Sequence, residues 1–397
     1  MRRGLVFLLF VWLCPGAWAQ SGPELLARIF YAPETERQAL VDSLDRVCAQ
    51  FPLLEQDSVV HFVYRGQAKS VALAGDATAW QPRIVLKKIA GTDLWHARQV
   101  YEPDARLDYK LVLDDTLWVL DPRNPHTVLG GFGANSELRM PQYVPPEELL
   151  ALPDGPRGTV RDTSFTSSFL SGQRTVWVYL PPGYPARGKR YPLALFHDGS
   201  DYLRLGNALE VLDRLIEARR IQPVVAVFVP PGERQREYAG DRKEALAGFI
   251  CAELLPWVER RYHVSRDARL RASIGASNGG NISLWLGLHY PEQFGTIAAQ
   301  SSYVEAEVAT RFREGKKLPL RIYLDVGTYD IPLLIPMVRT LRQILVARGY
   351  EVLYQEFHEG HSWGNWRAHL DDILEWSFPG ETALRGGEKP CSPPPWR

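Results

Sequence analysis

Apolar residues change their spacing twice along this chain of 397 residues. Between residues 23 and 51 they recur at helical intervals, as Leu25, Ile29, Leu40, Leu44 and Val47, with a break at Pro33. That period predicts an amphipathic helical segment over residues 20–56. From 58 to 140 the pattern becomes short alternating runs separated by turn residues, among them Val59-Val60-His61-Phe62-Val63-Tyr64 and Leu107-Asp108-Tyr109-Lys110-Leu111. Roughly seven short strands at this spacing predict an antiparallel β-sandwich over residues 57–140. A Pro-rich stretch, residues 141–156, reads as a linker. From 157 to 379 near-continuous apolar runs, at 174–180, 191–196, 223–229, 270–274, 296–300, 318–326 and 352–357, alternate with helical ones. The helices fall near 207–219, 244–260, 278–290, 333–348 and 365–376. Such alternation predicts a buried, mostly parallel sheet covered by helices. Residues 380–397 read as a flexible tail.

Composition narrows the partners. Lys plus Arg (46) equal Asp plus Glu (46), with no long block of one sign, so bulk electrostatics point away from nucleic acid. Arg2-Arg3, the apolar run 5–13 and Ala17-Trp18-Ala19 form an export signal over residues 1–19, which implies a periplasmic or secreted protein. No later run is long enough to span a membrane. Cys48, Cys251 and Cys391 would remain after cleavage, so at most one disulfide forms, and sequence does not choose the pair. Nothing in their spacing suggests a metal.

The chemistry concentrates at Gly275-Ala276-Ser277-Asn278-Gly279, directly after an apolar run. A strand that ends in G-x-S-x-G and turns into a helix is the sequence form of a nucleophile elbow. The pentapeptide alone arises by chance in roughly one chain in ten, so its context must carry the reading. Asp330 follows the strand-like run Leu324-Asp325-Val326, and His361 lies in Glu359-Gly360-His361-Ser362-Trp363 after the last run. Serine then aspartate then histidine is the order of an α/β-hydrolase triad. His361 is the candidate base and Asp330 its orienting acid. His358 and Asp325 are the rivals, better read as structural because the first abuts a strand end and the second lies inside one. The oxyanion would take the backbone amide of Asn278 and one from Gly199 or Ser200, in the loop Phe196-His197-Asp198-Gly199-Ser200. Walls for the substrate are expected at Arg236, Tyr238, Tyr303, Tyr329 and Trp363, with the aromatic rings stacking on an aryl or sugar group.

Residues 157–379 resemble the esterase D-type α/β-hydrolases, which include enterochelin, feruloyl and acetylxylan esterases. The resemblance is carried by Val176-Trp177-Val178-Tyr179-Leu180-Pro181-Pro182-Gly183-Tyr184, Arg236-Glu237-Tyr238, Gly275-Ala276-Ser277-Asn278-Gly279-Gly280 and Gly360-His361-Ser362-Trp363. The preceding segment resembles the immunoglobulin-like early-set domains of enterochelin esterases and glycan-binding modules, through Val71-Ala72-Leu73-Ala74-Gly75-Asp76, Trp80 and Asp121-Pro122-Arg123-Asn124-Pro125. One departure is Asp198-Gly199-Ser200, where many relatives carry His-Gly-Gly.

The resemblance implies a doubly wound α/β sheet behind a small sandwich, and Ser277, Asp330 and His361 as the triad. The expected activity is that of a serine carboxylic-ester hydrolase acting through an acyl-enzyme, without cofactor or metal. Its expected substrates are acyl or feruloyl esters of carbohydrate, with glycan contact by the N-terminal domain. A siderophore ester is the alternative, and a glycan-binding protein with an inactive hydrolase domain is a third reading.

Overall fold

In a computed structural model of the protein, residues 21–146, 155–185, 188 and 190–380 are described. The export signal at 1–19, residues 147–154 of the expected linker, the stretch from 381 onward and Cys391 lie outside the described residues.

Helices Gly22–Tyr31 and Glu34–Val47 open the described chain. Ser21 and Glu24 cap the first of them reciprocally. Pro33 forces Ala32 into an extended conformation, which ends that helix. The two apolar faces, Leu25, Leu26, Ile29, Val41 and Leu44, pack on Val63 and Leu94 of the sheet behind them.

Two antiparallel sheets follow. One joins Leu53–Glu55, Val59–Arg65 and Leu94–Val100. The other joins Val71–Gly75, Arg106–Leu113, Gly133–Arg139 and Thr127–Gly130. Strand Ile84–Lys88 pairs with both sheets and so bridges their edges. Their shared core holds Val60 and Phe62 from the first sheet against Leu107, Tyr109, Leu111 and Leu138 from the second. Because side chains alternate along a strand, Arg106, Asp108 and Glu137 project from the opposite face of the second sheet. That face meets the remainder of the chain.

The larger sheet runs in the order Thr159–Thr166, Gln173–Leu180, Val225–Val229, Leu193–His197, Arg271–Ala276, Thr296–Gln300, Arg321–Tyr329, Glu351–Gly360. Its first two strands are antiparallel and the other six run parallel. Leu195, Val227 and Leu324 face one helical layer, while Phe196, Phe228 and Ile274 face the other. Near-continuous apolar strands are thereby explained by burial on both sides.

Strand Thr159–Thr166 has no counterpart in the sequence reading. It is an edge strand with mostly exposed side chains, so no apolar period marks it. Three short helices, Gly199–Arg204, Arg234–Ala239 and Ala306–Glu314, also occupy stretches to which the apolar period assigned no element. Cys48 and Cys251 are both free thiols, and burial pushes the Cys251 thiol up to about 12.

Candidate active site

Ser277 stands at the carboxyl end of strand Arg271–Ala276, one residue before helix Asn278–His289. Its backbone is held at φ 58°, ψ −123°, a conformation that non-glycine residues rarely adopt. The surroundings enforce it. The Ser277 N–H donates to the Gln300 carbonyl at 2.8 Å. A Cβ on Gly275 would lie 2.1 Å from the Gly279 carbonyl oxygen, and one on Gly280 2.7 Å from Ser302 Oγ. Side chains at these positions would drive strand and helix apart and release the serine.

The parallel strands bring the other two residues to the same edge. Strand Arg321–Tyr329 carries a register shift between Gly327 and Tyr329, where it meets strand Glu351–Gly360. This irregularity re-aims the chain so that Asp330, with a fully buried carboxylate, faces His361. His361 Nδ1 lies 2.7 Å from Asp330 Oδ1, and Nε2 lies 3.1 Å from Ser277 Oγ. A carboxylate only accepts, so Nδ1–H donates to it and Nε2 is left as acceptor toward the serine. Trp366 packs against the imidazole in a T-shaped contact, with ring centroids 4.9 Å apart at 90°.

The rivals fall outside this line. Asp325 is buried within its strand and accepts from the Ser301 N–H at 3.0 Å, and burial raises its carboxyl to about 7. His358 pairs with Asp104 of the sandwich at 2.6 Å.

Strand Leu193–His197 lies directly beside the elbow strand and ends in the loop expected to supply a second amide. Here the left-handed residue is Asp198, at φ 52°, rather than the glycine. Gly199 is needed for another reason: a Cβ there would stand 2.4 Å from the backbone of Phe228 and Val229. Gly199 and Ser200 begin helix Gly199–Arg204, as Asn278 begins its own, so the leading amides of both helices have no intrahelical acceptor. The two turns adjoin, since a Cβ on Gly279 would be 3.0 Å from Asp198 Oδ2.

The expected walls divide. Arg236 is exposed and paired with Glu233 and Asp241 at 2.8 and 2.7 Å. Tyr238 is fully buried, and its hydroxyl accepts the Asp198 N–H at 2.8 Å. Tyr238 forms no wall, because residues 234–239 are a helix that turns it inward while Arg236 stays on the outer side. Tyr329 points into the seam with the sandwich, where its hydroxyl donates to Glu102 at 2.5 Å. Trp363 is only 7% exposed, wedged edge-on against Tyr202 and Trp366. Tyr303, half-buried, stays beside the elbow, its N–H donating to the Ser277 carbonyl at 3.3 Å. A cleft of about 560 Å³ opens between the two bodies, with Arg83, Tyr101, Tyr329 and Asp330 in its lining.

Two contributors escape the sequence reading. Arg234 forms a bidentate pair with Asp198, both contacts at 2.7 Å, and reaches the Ala276 carbonyl at 3.3 Å, so it ties the two turns together. Burial raises the Asp198 carboxyl, while the Arg234 charge pulls it back. The one available signal was the four-residue spacing of Arg234 and Tyr238, which shares a helix face once a helix is assumed. Gln300, fully buried, takes the Ser277 amide on its carbonyl, accepts from the Tyr202 hydroxyl and donates to the Trp366 carbonyl. It carried no sequence signal.

A family model described as "Putative esterase" matches residues 167–377, just over half of the chain. YjcH, an uncharacterized protein of Bacillus subtilis, is 30% identical over 233 residues, covering 55% of this chain and 97% of its own. An iron(III) enterobactin esterase of Escherichia coli O6:H1 is 27% identical over 332 residues, 73% of this chain and 80% of that one. The crystal structure of the enterobactin esterase of Shigella flexneri superposes with a TM-score of 0.71 at 23% identity, over 85% of this chain and 97% of that one. That likeness extends beyond the family match, and it shows a shared α/β-hydrolase fold with a strand-rich N-terminal region. With residues 167–377 matched, the chain belongs to this esterase family and is a carboxylic-ester hydrolase.

Proposed function

We propose that the protein is a serine esterase that works through an acyl-enzyme, with a siderophore-type ester as substrate. The observation that carries the mechanism is the line from Asp330 through His361 to Ser277, at 2.7 and 3.1 Å. Serine at its free pKa is a poor nucleophile and needs a base within reach. His361 Nε2 takes the hydroxyl proton as Ser277 Oγ bonds to the carbonyl carbon of the ester. Negative charge gathers on the carbonyl oxygen, where the amide of Asn278 and one from the adjoining turn receive it. Because the Asp198 amide is already taken by Tyr238, Gly199 and Ser200 are left to donate. The intermediate then expels the alcohol, which takes its proton from His361. Water, deprotonated by the same nitrogen, releases the acid and restores Ser277. Asp330 holds the imidazole in the useful tautomer and stabilises its charged form.

The substrate assignment is supported by likeness through both parts of the chain to a solved enterobactin esterase. The carbohydrate-ester reading rests on export and on the resemblance to glycan-binding modules; of the rings expected to stack on an aryl or sugar group, Tyr238 and Trp363 are buried, while Tyr329 keeps a place in the cleft beside Asp330. The export signal expected at residues 1–19 would put the mature protein in the periplasm or outside the cell. N-terminal sequencing of protein from the periplasmic fraction, read for a start near Gln20, tests that placement.

Hydrolysis of p-nitrophenyl acetate by the wild type and by Ser277→Ala tests the reaction. Equal background rates in both would leave only a binding protein with an inactive hydrolase body. Initial rates on ferric enterobactin, a feruloylated oligosaccharide and acetylated xylan then test the substrate, and a clear preference for either carbohydrate would overturn the siderophore assignment.

A further inference from the structure

We propose that Arg106 is a positioning residue for His361, so that the N-terminal sandwich completes the catalytic centre rather than merely preceding it. Arg106 begins strand Arg106–Leu113 and is completely buried. Its neighbours Leu107 and Tyr109 enter the sandwich core, so the alternating face turns Arg106 and Asp108 toward the hydrolase body. The two bodies touch there as strands: Glu359 pairs in parallel with Arg106.

The guanidinium is fixed from its own side. Nε donates to Glu137 at 2.5 Å and Nη2 to Asp108 at 2.6 Å. That leaves Nη1 to reach across the seam, where it donates to Ser362 Oγ at 3.2 Å and stands 3.7 Å from Glu359. Ser362 follows His361 and Glu359 precedes it by two residues, so one planar fork grips the loop on both sides of the base. The loop is fitted to this grip. A Cβ on Gly364 would fall 2.0 Å from the guanidinium, and one on Gly360 would fall 2.0 Å from Asp76 Cγ of the sandwich. The residue before Asp330 is held in the same way, by the bond from Tyr329 to Glu102. Both loops that orient the base therefore rest on the N-terminal domain, and a misplacement of the imidazole on the ångström scale is expected to cost about a hundredfold in rate.

The inference rests on His361 being the base, and the test separates the two ideas. Ser362→Ala, Arg106→Met and the double variant are made in the full chain and assayed with p-nitrophenyl acetate beside Ser277→Ala. We expect kcat to fall 10- to 100-fold in each single variant with KM within twofold. The double variant should be no worse than the worse single one, because both changes break the same contact. Ser362→Thr, which keeps the hydroxyl, should restore the rate, and the non-additive double variant assigns that hydroxyl's effect to Arg106 rather than to its second role as cap of helix Trp363–Ala368. Should Arg106→Met fail to fold with its carboxylates left unpaired, Arg106→Lys decides, since it keeps a charge among them but loses the fork, whereas Ser362 Oγ also caps helix Trp363–Ala368 by accepting the Asn365 N–H at 3.4 Å. Wild-type kcat in folded Ser362→Ala, or additive losses in the double variant, would overturn the positioning role. An active Ser277→Ala would instead remove the triad on which it rests.

Discussion

The buried hydroxyl of Tyr238 accepts the backbone N–H of Asp198 at 2.8 Å, which pins the turn that leads into Gly199 and Ser200. A residue expected at the substrate wall thus holds the loop that is proposed to stabilise the oxyanion. Tyr238→Phe leaves a buried N–H unpaired and should destabilise the fold by about 1–3 kcal/mol. Its kcat should fall about tenfold or more as the turn relaxes. Arg236→Ala, two residues away on the exposed side of the same helix, should leave kcat/KM unchanged. Thermal melts and steady-state kinetics on the pair check this, and equal losses in both variants would contradict it.

Asp330 and Asp325 should separate in activity. Asp330→Asn removes the acceptor of the His361 Nδ1–H and favours the wrong tautomer. By analogy with triad acids of other serine hydrolases, kcat should drop by about 10³- to 10⁴-fold. Asp325→Asn lies off the Ser277–His361 line and should keep kcat within a few-fold. Activity lost in Asp325→Asn and retained in Asp330→Asn would reverse the assignment.

Asp325 also predicts a pH dependence of stability. Burial raises its carboxyl from 3.8 to about 7, partly offset by the charge of His369 and by bonds from Ser301, Gln300 and Tyr323. A raised carboxyl means that the folded protein binds a proton the unfolded chain has released, so this group's contribution falls as pH rises from about 4 to about 7. Across that window the loss is on the order of a few kcal/mol. Urea titrations at several pH values should show that the wild type loses more stability over this range than Asp325→Asn. Parallel pH profiles would rule the effect out.

Gly275→Ala tests the elbow. Its Cβ would meet the Gly279 carbonyl at 2.1 Å, a backbone atom with no flexible end to move. The variant should lose at least about 1–3 kcal/mol of stability and most of its kcat, while Gly172→Ala, where a Cβ meets nothing within 4 Å although φ is +75°, should suffer only backbone strain. Melting temperatures and kcat for the two variants check the contrast.

The period of apolar residues determined by itself the class of each part of the chain: helical at first, alternating through the sandwich, and nearly continuous where a sheet is buried on both faces. Chain order and the pentapeptide around Ser277 singled out the residues that the structure gathers, because an elbow and the ends of parallel strands are local features set by a few neighbouring residues. Tertiary structure decided the rest. The directions of Tyr238, Tyr329 and Trp363 depend on which element packs over them, and a short helix at Arg234–Ala239 turned one of them inward without any apolar period long enough to announce it. Arg234, Gln300 and Arg106 act through partners 36, 23 and 256 residues away in sequence, Asp198, Ser277 and Ser362 respectively. Contacts of that separation exist only once the sheets have assembled, since closing such long loops is favourable only when the surfaces they join are already formed.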